Sequence, residues 1–242
     1  MKHVRAVLWD LDGTLLDTEH LWLEAETTLM ARYGYAWSSL DQSVCLGGPL
    51  ERVAAYMSEC IEQNTTGQIP PTLDELGEGL LHEMETLLRT RDPHWRPGAV
   101  DLVSAIAADG IPMALVTASH RRLLDALDQT LEAVLADQAG IDTPVFDVVV
   151  AGDEVPVTKP DPEPYREAAR RLDVPIEHCV VIEDSPTGVQ AGRSSGALVI
   201  AVPHISEVIG DDRCRVLDSL VGVTPAVLDS WMVDASPRSS GR

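Results

Sequence analysis

At 242 residues the chain has room for one large core, or for a core carrying a smaller insertion. Apolar residues at 45% and charged residues at 24% are ordinary for a globular protein, but a formal charge of −21 is not. A surface this acidic excludes nucleic acid and anionic membranes as partners and makes any phosphate site a locally positive exception.

The chain opens with an apolar run, residues 4–11, whose length and bulky or β-branched content suit a buried strand. The turn signal Asp12-Gly13-Thr14 stops it. The opening residues lack the apolar stretch of a signal peptide and no segment approaches membrane-spanning length, so a cytoplasmic location is expected. From residue 18 the rhythm turns helical: Thr18 and Glu19 form a start signal, and Leu21, Ala25, Leu29 and Arg32 recur at helical spacing. Residues 50–60 and 73–88 read the same way, and no strand pattern interrupts them. The reading is an all-helical cap over residues 18–92.

Pro93 and Pro97 bracket a break, after which short apolar strands alternate with helices. Helices are predicted over 99–108, 121–137, 163–172 and 187–194, and strands over 111–117, 145–150, 179–182 and 197–202. This alternation predicts an α/β fold, a Rossmann-like parallel sheet covered on both faces, with residues 1–17 and 93–234 forming the core. Residues 235–242 are small and polar and are expected to form a disordered tail. The four cysteines are widely spaced with no CxxC pair, which speaks against zinc and against a disulfide framework.

In parallel sheets the chemistry gathers at the carboxyl ends of the strands, and four predicted strand ends carry polar groups. The first ends in Asp10 and Asp12, two carboxylates able to face one point, with an Asx turn as the alternative. The second ends in Thr117 with Ser119 behind it, a hydroxyl for a phosphate oxygen or an N-cap. Lys159 precedes a stiff loop holding Pro160, Pro162 and Pro164. Of 18 basic residues only Lys2 and Lys159 are lysines, so an internal lysine points to a role for a compact ammonium that a flat guanidinium does not fill. The fourth end is Glu183-Asp184, costly on a buried strand unless a cation or donor satisfies it. With Asp10 and Asp12 these form a hard oxygen set suited to Mg²⁺. Gly210-Asp211-Asp212 is a similar acidic pair, but it follows no clean buried strand and reads as a surface loop.

In this order the motifs resemble those of the haloacid dehalogenase superfamily: DLDGT at residues 10–14, then Thr117, Lys159 and Glu183-Asp184. The resemblance runs from the first strand to about residue 202. It includes the helical cap of the subgroup containing β-phosphoglucomutase and many sugar-phosphate phosphatases. It implies that Asp10 attacks phosphorus to form an aspartyl phosphate and that Asp12 serves as general acid and then base. It also implies that Thr117 holds a phosphoryl oxygen and that Lys159 offsets the charge. The resemblance further implies that Asp10, Asp184 and the backbone carbonyl of Asp12 hold Mg²⁺, with Glu183 either a ligand or a residue behind the ligands.

Departures from that pattern narrow the choice. Asp12 is an acid that dehalogenases proper lack, and residues 17–92 contain no lysine for the Schiff base of phosphonoacetaldehyde hydrolases. The cap-helix histidine of β-phosphoglucomutase is Trp22 here, and its basic cap-loop positions correspond to Leu46 and Leu50. His20 lies two residues early and reads as helix surface. These differences favour hydrolysis of a small phosphorylated metabolite, a sugar phosphate first, over the mutase alternative, and a non-catalytic binding protein on the same fold is the reading from another class. Substrate contacts are expected from Glu19, Trp22, Gly47, Gly48, Arg52, Ser119 and His120, each with packing or solvation as its alternative use. A monomer is the default expectation.

Overall fold

The computed structural model describes residues 3–45, 48–64, 71–91, 94–139 and 144–235. The opening apolar run forms strand β1 (Ala6–Trp9), which leaves the ladder just before Asp10. Beyond β2 (Leu16–Asp17) come four helices: α1 (Glu19–Ala31), α2 (Ser39–Cys45), α3 (Leu50–Asn64) and α4 (Leu73–Thr90). Strand β3 (His94–Trp95) then pairs antiparallel with β2, Leu16 opposite Trp95, so the two passages of chain flanking the helices are zipped together. The remainder alternates: α5 (Ala99–Ala108), β4 (Met113–Val116), α6 (Arg121–Ala139), β5 (Val148–Val150), α7 (Glu163–Arg171), β6 (Cys179–Glu183), α8 (Pro186–Ser195), β7 (Leu198–Ala201), β8 (Cys214–Val216) and α9 (Pro225–Ala235).

The six longer strands form one sheet in the order β5-β4-β1-β6-β7-β8, and every pairing is parallel. The predicted α/β class and Rossmann-like core are therefore present. Alternate strand residues serve opposite faces. Val7, Trp9, Met113, Leu115, Val180 and Ile182 join one core with Leu102 and Ile106 of α5 and Leu228 of α9. Ala6, Leu8, Ala114, Val116 and Val181 join another with Tyr165 and Ala168 of α7 and Val189 of α8. Burial on both faces explains why these strands read as unbroken apolar runs.

From β1 the chain winds outward to β4 and β5 on one side, then returns to β6, β7 and β8 on the other. That reversal opens a crevice beyond the carboxyl end of β1, the place where such sheets bind ligands. The helices α1, α3 and α4 bury Leu21, Ala25, Leu29, Val53, Met57, Leu76, Leu80 and Met84 against one another. Helix α4 starts at a reciprocal cap between Thr72 and Glu75. It is tied to α6 where Arg122 donates to Glu85 at 2.7 Å and to Glu78 at 3.1 Å.

Several expectations shift. The strands read as 4–11, 111–117 and 145–150 are shorter, and that over 179–182 runs one residue further, to Glu183. Helix α2, strand β8 and helix α9 are additional elements. Ala235, read as the start of a tail, is the last residue of α9, and residues 236–242 lie outside the described residues. The Asp211–Asp212 loop is exposed, as read, and all four cysteines are free and buried. Among the described residues no helix is long and apolar enough to cross a membrane.

Candidate active site

Strands β1, β4 and β6 lie side by side, so Asp10, Thr117 and Glu183-Asp184 arrive together at one rim of the sheet. Lys159 enters from the loop before α7. Its ammonium donates to Oδ1 of Asp10 at 2.6 Å, to Oε1 of Glu183 at 2.7 Å and to the Val116 carbonyl at 3.0 Å. All three of its protons are thereby used, and only 3% of the residue is exposed. Burial alone would lower its pKa, but the facing carboxylates of Asp10 and Glu183 carry it above the usual lysine value.

Glu183 is saturated. Its Oε1 accepts from Lys159 and from the Tyr165 hydroxyl at 2.7 Å. Its Oε2 accepts from the backbone N–H groups of Asp184 and Ser185 and from the Ser185 hydroxyl. Ser185 also caps α8 by accepting from the Gly188 N–H at 3.0 Å, and a side chain at Gly188 would strike the Glu183 carboxylate. Asp184 is less engaged, its Oδ1 accepting from Thr14 at 3.2 Å. It lies over Gly13, whose φ of +82° suits glycine and where any Cβ would strike the same carboxylate.

Oxygens of Asp10, Glu183 and Asp184 lie within 4.8 Å of one another, and all three residues are buried. Burial, then the charge of Glu183, pushes the Asp10 carboxyl up to about 7 against the pull of Lys159. Asp184 is raised well above the ordinary value by burial and by Asp10. Three packed carboxylates facing a single ammonium are short of positive charge. A hard divalent cation fits that donor set.

Asp12 is held between two parts of the fold. Its Oδ1 accepts from the Thr18 hydroxyl at 2.6 Å and from the Trp22 indole N–H at 3.2 Å. Its Oδ2 accepts from the Ser119 hydroxyl at 2.6 Å and from Thr117 at 3.3 Å. Thr18 sits at the start of α1 but caps nothing there; its hydroxyl is spent on Asp12.

A cavity of about 140 Å³ extends from these residues between the sheet rim and helices α1–α4. Its walls include Asp10, Asp12, Thr117, Lys159 and Asp184, together with Glu19, Trp22, Gly48, Ser119 and His120. Arg52 is not among the lining residues: it is exposed and donates to the Cys45 carbonyl at 3.1 Å. Gly47 lies outside the described residues. His20, read as helix surface, is exposed and stacks on His94.

Sequence reasoning missed Thr18, Tyr165, Glu26 and Gln42. Tyr165 stands beside the prolines that marked the Lys159 loop. Glu26 follows Glu19 and Trp22 at i+7 and i+4, one helix face that periodicity could have exposed.

A family model described as haloacid dehalogenase-like hydrolase matches residues 4–196. The chain belongs to that family. Protein CbbY of Cereibacter sphaeroides is 30% identical, over 89% of this chain and 92% of that one. A phosphorylated carbohydrates phosphatase of Thermotoga maritima is 31% identical, over 80% and 82% respectively. A crystal structure of a CbbY variant from Rhodobacter sphaeroides with xylulose-(1,5)bisphosphate is similar at a TM-score of 0.74 and 29% identity, covering 91% of this chain and 96% of that one.

Proposed function

We propose that the protein is a Mg²⁺-dependent phosphoric monoester hydrolase acting on a small sugar phosphate through an aspartyl-phosphate intermediate on Asp10. The observation that carries this reading is the meeting of Asp10, Asp12, Lys159 and Asp184 at the floor of one cavity. Family membership and the phosphatase among its relatives support the same class.

Asp10 is the nucleophile: its Oδ1 is pinned by Lys159 and its second oxygen is left to attack phosphorus. A carboxylate meeting a phosphate is a like-charge encounter costing about 4 kcal/mol per unit-charge pair at ~4 Å and an effective dielectric near 20. Lys159 offsets part of this. Mg²⁺, when bound, supplies the remaining positive charge to the phosphoryl oxygens. Asp10, Asp184 and the backbone carbonyl of Asp12 would hold it. Glu183, with both oxygens already taken by protein donors, fits better as the residue that aims Lys159 than as a ligand.

Asp12 lies two residues beyond the nucleophile, as an acid for the leaving oxygen and then a base for water. Its four donors hold the carboxylate in place, and the leaving oxygen of substrate would displace one of them. Thr117 and Ser119 lie where they can pass from Asp12 to phosphoryl oxygens. Helices α1–α4, as a cap over residues 18–92, exclude water from the cavity and read the leaving group. Phosphate release from a panel of phosphorylated metabolites, with and without Mg²⁺, tests the proposal. Metal-dependent release abolished in Asp10→Asn is expected; release that survives that substitution would remove Asp10 as nucleophile.

A further inference from the structure

Beyond the reacting groups, the cavity continues along α1 past Glu19 and Trp22 to Glu26 and Gln42, with Glu51 and Asp153 at its exposed margin. Glu26 is 3% exposed and accepts from the Trp37 indole at 2.9 Å. Glu19 is half-buried, and its carboxylate meets Gln42 only at 3.5 Å, while the Gln42 amide is committed to the Glu19 carbonyl at 2.7 Å. Trp22, Leu50, Leu80 and Leu81 complete the wall. Lys159 is the one lysine or arginine among the described lining residues, and it is fully used by Asp10, Glu183 and Val116.

Resting on the proposed phosphatase reading, we infer that this enzyme selects a monophosphate whose leaving alcohol carries hydrogen-bond donors and no second anionic group. The part of the cavity that receives the leaving group offers acceptors and apolar surface: the carboxyls of Glu19 and Glu26, the Trp22 ring and the leucines. Hydroxyls of a sugar or polyol satisfy such acceptors. A second phosphate placed there meets carboxyl groups with, among the described lining residues, no arginine or lysine but the committed Lys159, a repulsion that discriminates between ligands. The four arginines of residues 18–92 do not change this. Arg32, Arg89 and Arg91 pair with Glu83, Glu85 and Glu24, and Arg52, not among the described lining residues, lies with its guanidinium against Gly48 and donates to the Cys45 carbonyl. A bisphosphate of the kind bound by the CbbY structure is therefore a poor ligand for this chain. Burial, then Asp12 and Glu26, raise the Glu19 carboxyl to about 8, and burial raises that of Glu26 to about 7, so the repulsion is fullest above pH 8, where the comparison below is made.

The test is competition against hydrolysis of p-nitrophenyl phosphate, with Asp10→Asn as the blank. Inhibition constants are compared within matched pairs: glucose 1-phosphate against glucose 1,6-bisphosphate, and fructose 6-phosphate against fructose 1,6-bisphosphate. The monophosphate of each pair is expected to bind at least about tenfold tighter. Glu19→Gln and, separately, Glu26→Gln are expected to narrow that ratio severalfold. Glu19, less deeply buried than Glu26, serves if the Glu26 variant does not fold. Bisphosphates that bind as well as or better than their partners, inhibition by neither member, or a ratio unmoved in folded Glu19→Gln overturns the inference while leaving the phosphatase intact. Absence of p-nitrophenol release, or release that persists in Asp10→Asn, overturns the proposed function and this inference together.

Discussion

The indole N–H of Trp22 donates to Oδ1 of Asp12 at 3.2 Å, so a residue of the first helix after the core holds the carboxylate proposed as acid and base. The Thr18 hydroxyl reaches the same oxygen, while Ser119 and Thr117 take the other from the side of the sheet. The seating of α1 and the aim of Asp12 are thereby linked. Trp22→Phe keeps a smaller aromatic ring and removes one donor to an ionised acceptor, a bond worth roughly 1.5–3 kcal/mol. A fall in kcat of about tenfold or more, with secondary structure intact by circular dichroism, is expected. Thr18→Val, which removes the shorter bond, is expected to cost at least as much.

Lys159→Met leaves Asp10 and Glu183 buried and facing one another without their shared cation. Breaking a buried ion pair on one side costs roughly 3–5 kcal/mol. Denaturant unfolding is expected to show a loss of that order together with loss of phosphatase activity. Lys159→Arg is expected not to restore activity, since a guanidinium in a slot 3% exposed does not reproduce three bonds to one nitrogen.

Stability should respond to pH through Glu26. Burial raises its carboxyl from 4.5 to about 7, against the lowering effect of the Trp37 bond. The folded state thus holds this proton more tightly than the unfolded chain does. Below pH 4.5 both states are protonated and the group costs nothing. Between pH 4.5 and 7 the unfolded chain ionises first, so stability falls as pH rises, by on the order of 3 kcal/mol. Glu26→Gln is expected to unfold at higher denaturant than the parent at pH 8 and to lose that advantage near pH 4, as measured by urea titration at each pH.

Chelation is expected to abolish turnover, and added Mg²⁺ to raise the melting temperature. At a hundred times its dissociation constant a ligand stabilises by about 2.7 kcal/mol. Since protons compete for the same oxygens and the Asp10 carboxyl is held up at about 7, chiefly by burial, Mg²⁺ affinity is expected to strengthen from pH 6 to 8. Calorimetric titration at the two pH values checks it.

The residues of the site were legible where a local rule exposed them. Carboxylates and a hydroxyl placed at the ends of apolar runs stand out because burial makes them costly, and so Asp10, Thr117 and Glu183-Asp184 were found. Lys159 stood out by its rarity. Helix α5 matches its expected bounds, 99–108, just past the break that Pro93 and Pro97 mark. What stayed hidden depends on partners distant in sequence. Thr18 carries an ordinary capping signal, yet its hydroxyl is drawn to Asp12. Arg52 is a basic residue of the right segment, but a backbone carbonyl of its own neighbourhood holds it. Strands β2 and β3 are two residues each and exist because the chain passes twice through one place, which no period records.

The aspartyl phosphate on Asp10 is the claim on which the rest depends, and trapping it is the most direct measurement. Enzyme turning over a substrate would be acid-quenched, reduced with borohydride and mapped by peptide mass. Homoserine at position 10, present only when substrate and Mg²⁺ are both supplied, is the expected result. An unmodified Asp10 in enzyme quenched at the peak of a demonstrated pre-steady-state burst, with the reduction verified on a known acyl phosphate, would contradict it.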